Sequence, residues 1–212
     1  MMRKSIILVL LLLIPGWTAA HVNQVDLGLS LADGKLQSFY LAVGDYYGVP
    51  QRDMMLVRER YRLRDEELPV AFFLAARARI NASVVLDLRV GGMSWLDIAF
   101  RYGLTPKIFY VPVTVERIGP PYGNAYGYFK KYRANREWKR VVLSDQEVVD
   151  LVNLRFVSAY HRIPPETVME MRGRGQNFIT INEQGGKAKG KDKGKLRKDK
   201  GTQTVKRKGR RK

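Results

Sequence analysis

Residues 80–98, INASVVLDLRVGGMSWLDI, and residues 163–181, IPPETVMEMRGRGQNFITI, align with each other without a gap, and that match decides the fold. Each begins at an isoleucine, Ile80 or Ile163, and reads as a short apolar helix closing on Arg89 or Arg172 and glycine. An N-cap, an aromatic residue (Trp95 or Phe178) and further apolar positions follow. Apolar, arginine and glycine positions that coincide together are the mark of an internal repeat. A partial third copy runs from Val49-Pro50 through Met54-Met55 to Val57-Arg58.

Working outward, each short helix is preceded by a longer one. Ser144-Asp145-Gln146-Glu147 forms a capping box whose flanking Leu143 and Val148 make a hydrophobic staple, opening a helix through about Tyr160. Asp65-Glu66-Glu67-Leu68 plays the same part before Val70 to Ala75, with Pro69 tolerable because it sits in the first turn. Leu36 to Tyr46 is the weaker first copy. The pattern predicts an all-α chain of about three helix-turn-helix-like units. Units one and two occupy residues 21–107 and the third 143–184, with an extended Tyr/Gly/Pro-rich insertion over 108–142. Arg58, Arg89 and Arg172 close their short helices, where a cation complements the negative helix end and bonds the last carbonyls. An anion-binding row of these arginines is the sharper alternative.

Gly92 to Leu104 resembles the helix of a DNA-binding helix-turn-helix, with Ser94 as N-cap and Trp95, Ile98 and Ala99 on its packing face. A recognition helix offers Arg, Asn or Gln to base edges near its start. Here Trp95, Leu96 and Asp97 stand there, so a packing helix is expected.

Within the insertion, Ile108 to Val115 is β-branched and aromatic, a short strand or extended segment, with Pro112 confining it to an edge. After Gly119-Pro120-Pro121 come aromatics interleaved with cations. Tyr122, Tyr126, Tyr128, Lys130, Lys131, Arg133, Arg136, Lys139 and Arg140 are the candidate polyanion-binding residues of a loop, suited to stacking and to anion contact. The competing expectation is a linker whose tyrosines pack back on the helices.

The net charge of +18 is unevenly spread. Gly185 to Lys212 holds ten Lys and four Arg against Asp192 and Asp199, a net of about +12, so the body is close to ordinary. Such a tail has too little apolar surface to offset its ordering entropy and is expected to be disordered. Lys187, Lys189, Lys191, Lys193, Lys195, Lys206, Arg207, Lys208, Arg210, Arg211 and Lys212 are its candidate polyanion-binding residues, acting by counterion release; the alternative is a tail that only solubilises.

Residues 1–20 read as a cleavable signal peptide: Arg3-Lys4, an unbroken apolar run from Ile6 to Ile14, then Pro15, Gly16 and the small residues Thr18, Ala19 and Ala20. The run is too short to span a bilayer. The expected location is periplasmic or secreted. With no cysteine there is neither a disulfide nor a lipid-anchor acceptor, so a conventional core must hold the fold.

No HExxH, GxSxG, P-loop or CxxC pattern occurs, and His21 and His161 are the only histidines. The expectation is no catalytic residue, no metal site and no cofactor. If the leader is cut after Ala20, His21 becomes the N-terminus, where its amine and imidazole could chelate copper with His161, but nothing in the sequence brings His161 near it. Asn81-Ala82-Ser83 matches a glycosylation sequon; Asn81 is read as a helix N-cap.

The run from Arg64 through Tyr110, with the Gly-Pro-Pro-Tyr-Gly loop and the closing repeat, resembles uncharacterised exported proteins of Gram-negative bacteria. The resemblance covers most of residues 45–182; it implies export and a shared repeat architecture, and no activity or site residues. The sequence therefore points to an exported, non-enzymatic protein that engages an anionic polymer, such as an envelope polysaccharide, lipopolysaccharide or extracellular nucleic acid. A protein-interaction scaffold is the alternative, and a helix-turn-helix nucleic-acid binder a further one if the leader is not used.

Overall fold

The computed structural model describes residues 34–115, 118–134 and 136–186; the leader over 1–20 and the tail cations from Lys187 onward lie outside the described residues. Among the described residues every regular element is helical. α1 (Gly34–Tyr47), α2 (Gln51–Tyr61), α3 (Leu68–Ala78), α4 (Ala82–Val90) and α5 (Trp95–Arg101) are followed by α6 (Gly123–Arg133), α7 (Asp145–His161), α8 (Pro165–Gly173) and α9 (178–186).

The centre is set by the two helices that are apolar nearly all round, since such helices must be buried. In α3 every residue from Leu68 to Ala75 is buried, and in α7 every residue from Val148 to Leu154. The two pack on each other; α4 covers α3, α8 covers α7, and α1 lies against both. Phe39, Phe156, Trp95, Phe109, Phe129 and Phe178 fill the space between them with less than 2 % exposure.

The turns that connect the helices share one geometry. Gly48, Arg79 and Arg162 are left-handed residues closing α1, α3 and α7. Beyond each, the amide of Val49, Ile80 or Ile163 bonds back to the carbonyl of Gly44, Ala75 or Ser158, the six-residue closure that satisfies an orphaned helix-end carbonyl. Pro50, Asn81 and Pro164 then open α2, α4 and α8 in extended conformation. In the register that pairs Ile80 with Ile163, Gly92 and Gly175 again share a positive φ, and the Met93 and Gln176 amides reach back to Leu88 and Met171. Ser94 and Asn177 likewise accept from the amides of Asp97 and Thr180.

Local expectations fare unevenly. The Ser144–Glu147 capping box is present, and Leu143 and Val148 beside it are buried. Trp95, Ile98 and Ala99 are wholly buried, so α5 is held by its packing face. Before α3, Glu67 instead accepts from the Arg64 amide and Nε, both at 3.3 Å, around a turn of 3-10 helix at Asp65–Glu67. Asn81 occupies the N-cap position of α4, but its side chain makes no capping bond.

The insertion departs most. Pro106–Phe109 is a 3-10 helix, and residues 110–115 are extended without any strand partner. Side chains satisfy that backbone instead. Arg155 Nη2 donates to the Ile108 and Tyr110 carbonyls at 3.1 and 2.7 Å, the Tyr126 hydroxyl donates to the Val111 carbonyl at 2.6 Å, and the Thr114 amide donates to Glu166 at 2.6 Å. The stretch expected to be a Gly/Pro-rich loop is α6, an eleven-residue helix. Its buried Ala125, Tyr126 and Phe129 recur at helical spacing beneath two glycines that disguise the pattern.

Candidate functional site

Arg89 and Arg172 do not close their helices by bonding the last carbonyls; they are the nodes of two ion-pair knots. Arg89 Nη2 donates to Glu67 Oε1 at 2.6 Å, while its Nη1 donates to Asp145 Oδ2 at 2.6 Å and to the Met93 carbonyl at 3.2 Å. Arg172 Nη2 donates to Asp150 Oδ1 at 2.7 Å, and its Nη1 to the Gln176 carbonyl at 2.9 Å. Each guanidinium lies over the ring that opens the next helix, 4.7 Å from Trp95 and 4.6 Å from Phe178.

The acids at the head of each long helix also serve the opposite half. Asp145 accepts from the Trp95 amide, and Glu66 accepts from the Phe178 amide, both at 2.8 Å. Burial would raise the Glu67 carboxyl, but Arg64 and Arg89 outweigh it and hold the group below its ordinary value. Glu66, dominated by burial, is pushed up. With their Nη1 and Nη2 groups turned onto acceptors inside the protein and their side chains 16 % exposed, Arg89 and Arg172 do not present a row of cations to solvent. Arg58 is looser, 3.8 Å from Asp65 and 5.4 Å from the Tyr40 ring.

One exposed cationic surface is α6 and the segment after it. Tyr128, Lys130, Lys131, Arg133, Arg136, Lys139 and Arg140 are all exposed. Tyr122 and Tyr126 are not: they are 1 % and 8 % exposed and face the core, so neither offers a ring to a ligand. Burial raises both phenols well above their ordinary value. Instead Tyr132 and Tyr110 hold the cations in place, a role the sequence does not single out. Lys131 and Arg140 lie 5.1 and 5.6 Å from the Tyr132 ring, and Tyr128 stacks on Tyr132 at 6.4 Å with 10° between planes. Arg133 sits 5.3 Å from the Tyr110 ring and donates to its hydroxyl at 2.5 Å. Glu137 is the one acid between residues 130 and 140, and Arg140 bonds it at 3.1 Å.

Two concavities flank α6. One, of about 470 Å³, lies between α6 and the extended segment, over Tyr110, Val113, Val115 and Ile118, with Lys130 and Arg133 on its lining. The other, of about 690 Å³, lies over Val142, Leu143 and Ser144 and reaches Tyr128 and Lys131. Gly123 and Gly127 line both.

His161 is elsewhere, its Nε2 2.8 Å from Asn182 Oδ1 and its ring close against Gly185. His21, the other half of the copper chelate, lies outside the described residues, and among the described residues no group of three or more His, Asp or Glu is placed to hold a metal ion. No described helix is long and apolar enough to cross a membrane. Comparison with protein-family models, with curated proteins and with solved structures returns no match to this chain.

Proposed function

We propose that this chain is an exported, non-enzymatic binding protein that holds an anionic polymer against α6 and the segment 136–140, with the basic tail adding sequence-independent affinity. The observation that carries the reading is six exposed cations within residues 130–140 against a single acid, three of them fixed over tyrosine rings. A cation already held by a ring loses less rotamer freedom when it meets an anion than a free one does. The leader-like residues 1–20 support export.

The same reading takes the three helical hairpins as copies of one unit, supported by the common left-handed closures at Gly48, Arg79 and Arg162 and by the matched Arg89 and Arg172 knots. The insertion between the second and third copies then carries the binding face.

The test is affinity of the full chain for heparin across salt concentrations, beside a variant with Lys130, Lys131 and Arg133 changed to Gln. Each neutralised charge contributes about 0.7 to the slope of log K against log salt, so the variant loses about 2 units of slope. A salt-independent affinity, or an unchanged slope in the variant, would overturn the reading.

A further inference from the structure

Gly123 and Gly127 stand one helical turn apart on α6 and line both concavities; Gly127 is exposed, while Gly123 is half-buried, where a Cβ would press on the Ile118 carbonyl at 3.0 Å. Glycine inside an exposed helix costs about 1 kcal/mol relative to alanine, so open space at Gly127 is a stability cost without a packing reason. A Cβ built there meets nothing within 4 Å. The absence of side chains lowers the crest of α6 to bare backbone between the two hollows. Cations stand on both flanks: Lys130 and Arg133 toward the extended segment, Lys131 toward Val142.

We propose that this saddle is the binding path of an acidic polysaccharide, one chain lying across α6 at Gly123–Gly127 with sugar units in the two hollows and its acid groups on the flanking cations. The inference rests on the polyanion reading above and narrows its ligand. Two concavities of a few hundred Å³ joined over one helix accept a single flexible chain and not a duplex. Between single chains, a nucleic acid would need free ring faces for its bases. On the Tyr110 side the rings are spent on one another: Tyr110 and Tyr126 each pack on Phe129, at 5.3 and 5.7 Å. The first hollow is lined by those packed rings beside Val113, Val115 and Ile118, and the second offers aliphatic side chains, backbone and the outer face of Tyr128, whose other face is covered by Tyr132. That surface suits the ring face of a sugar, with charge supplied at the edges.

The experiment titrates full-length protein with an oligogalacturonate and, separately, with a thymidine oligonucleotide of equal charge, following backbone amide shifts so that the site is read independently of the tail. Oligogalacturonate should move the Gly123 and Gly127 amides. Gly127→Leu, which fills the saddle but leaves every cation, should weaken that local affinity by about tenfold while Gly127→Ala raises Tm, as alanine is the better helix former. The folded state of each variant is checked by its remaining amide pattern. No movement at Gly123 and Gly127, or wild-type affinity in folded Gly127→Leu, would overturn the crossing. The cation face would still stand in that case if the Lys130, Lys131 and Arg133 to Gln variant lost salt-dependent heparin binding. Tighter local binding of the oligonucleotide would overturn the polysaccharide assignment.

Discussion

Replacing Arg89 by methionine keeps the length of the stem and removes only the guanidinium, so its cost isolates the knot. Arg89 is 16 % exposed at its side chain and Glu67 5 %, and their 2.6 Å contact has Asp145 as a second acceptor at the same distance. After the change, the carboxylate of Glu67 keeps one cation, Arg64, whose own side chain is 61 % exposed, and the neutral Trp95 indole N–H at 3.3 Å. Breaking one side of a buried ion pair costs about 3–5 kcal/mol because the remaining charge is stranded. The partial exposure of Asp145 and the surviving Arg64 place Arg89→Met at the lower end, about 3 kcal/mol. At about 2–4 °C per kcal/mol for a chain of this size, that is a Tm drop of about 6–12 °C. The pH dependence gives the sharper check. In the native protein the Glu67 carboxyl is held below its ordinary value, so its contribution is present above that value and is lost as pH falls through the lowered one. Without Arg89, the folded-state carboxyl loses one of the two cations that lower it and rises, so the variant loses less stability than the native protein as acid protonates Glu67. The gap between native and variant protein must therefore narrow as pH is lowered toward 4. Thermal melts followed by circular dichroism from pH 7 to pH 4 measure it. A gap that stays constant or widens with acid would refute the knot as the source of the cost.

Two further outcomes follow from the same structure. Arg162→Gly at the left-handed residue ending α7 relieves about 1 kcal/mol of backbone strain and raises Tm by about 2–4 °C in a calorimetric scan; an unchanged or lower Tm would mean that the arginine side chain is itself a stabilising contact. Mass spectrometry of the protein from fractionated cells should find His21 as its first residue in the extracytoplasmic fraction, and an intact Met1 in the cytoplasm would refute export.

How much was legible in the chain depends on whether a feature is local. The capping box at Ser144, the N-cap at Ser94 and the apolar run of α3 lie within a few residues, and the structure holds them where the pattern placed them. α6 was obscured because Gly123 and Gly127 lower its helix propensity while Tyr122, Ala125, Tyr126 and Phe129 quietly keep the period. Residues 108–115, expected as a short strand or an extended segment, had the side chains of a strand, but a strand needs a partner, and no sequence window says whether one exists. The knots were illegible for another reason. A cation in the last turn of a helix satisfies the dipole rule whether or not a carboxylate waits across the core, so the rule could not separate Arg89 from an ordinary cap. Only the spacing held a hint: Glu67 and Asp150 fall in the same register as Ile80 and Ile163.

The knots also bear on the proposed binding face, whose helix depends on the rest of the molecule. α6 has eleven residues, too few for a helix to persist alone in water. Its start is anchored by Tyr122, buried with its hydroxyl near Arg172 and Asp150, and its middle by the Tyr126 bond to the Val111 carbonyl. The extended segment opposite α6 is in turn tied by Thr114 to Glu166 in α8. Both walls of the groove thus lead back to the Arg172 half of the core, and neither contributes a cation to it. In a cysteine-free chain, that division lets the surface residues 130–140 change charge without touching the core, while a change at Arg172 loosens core and groove together.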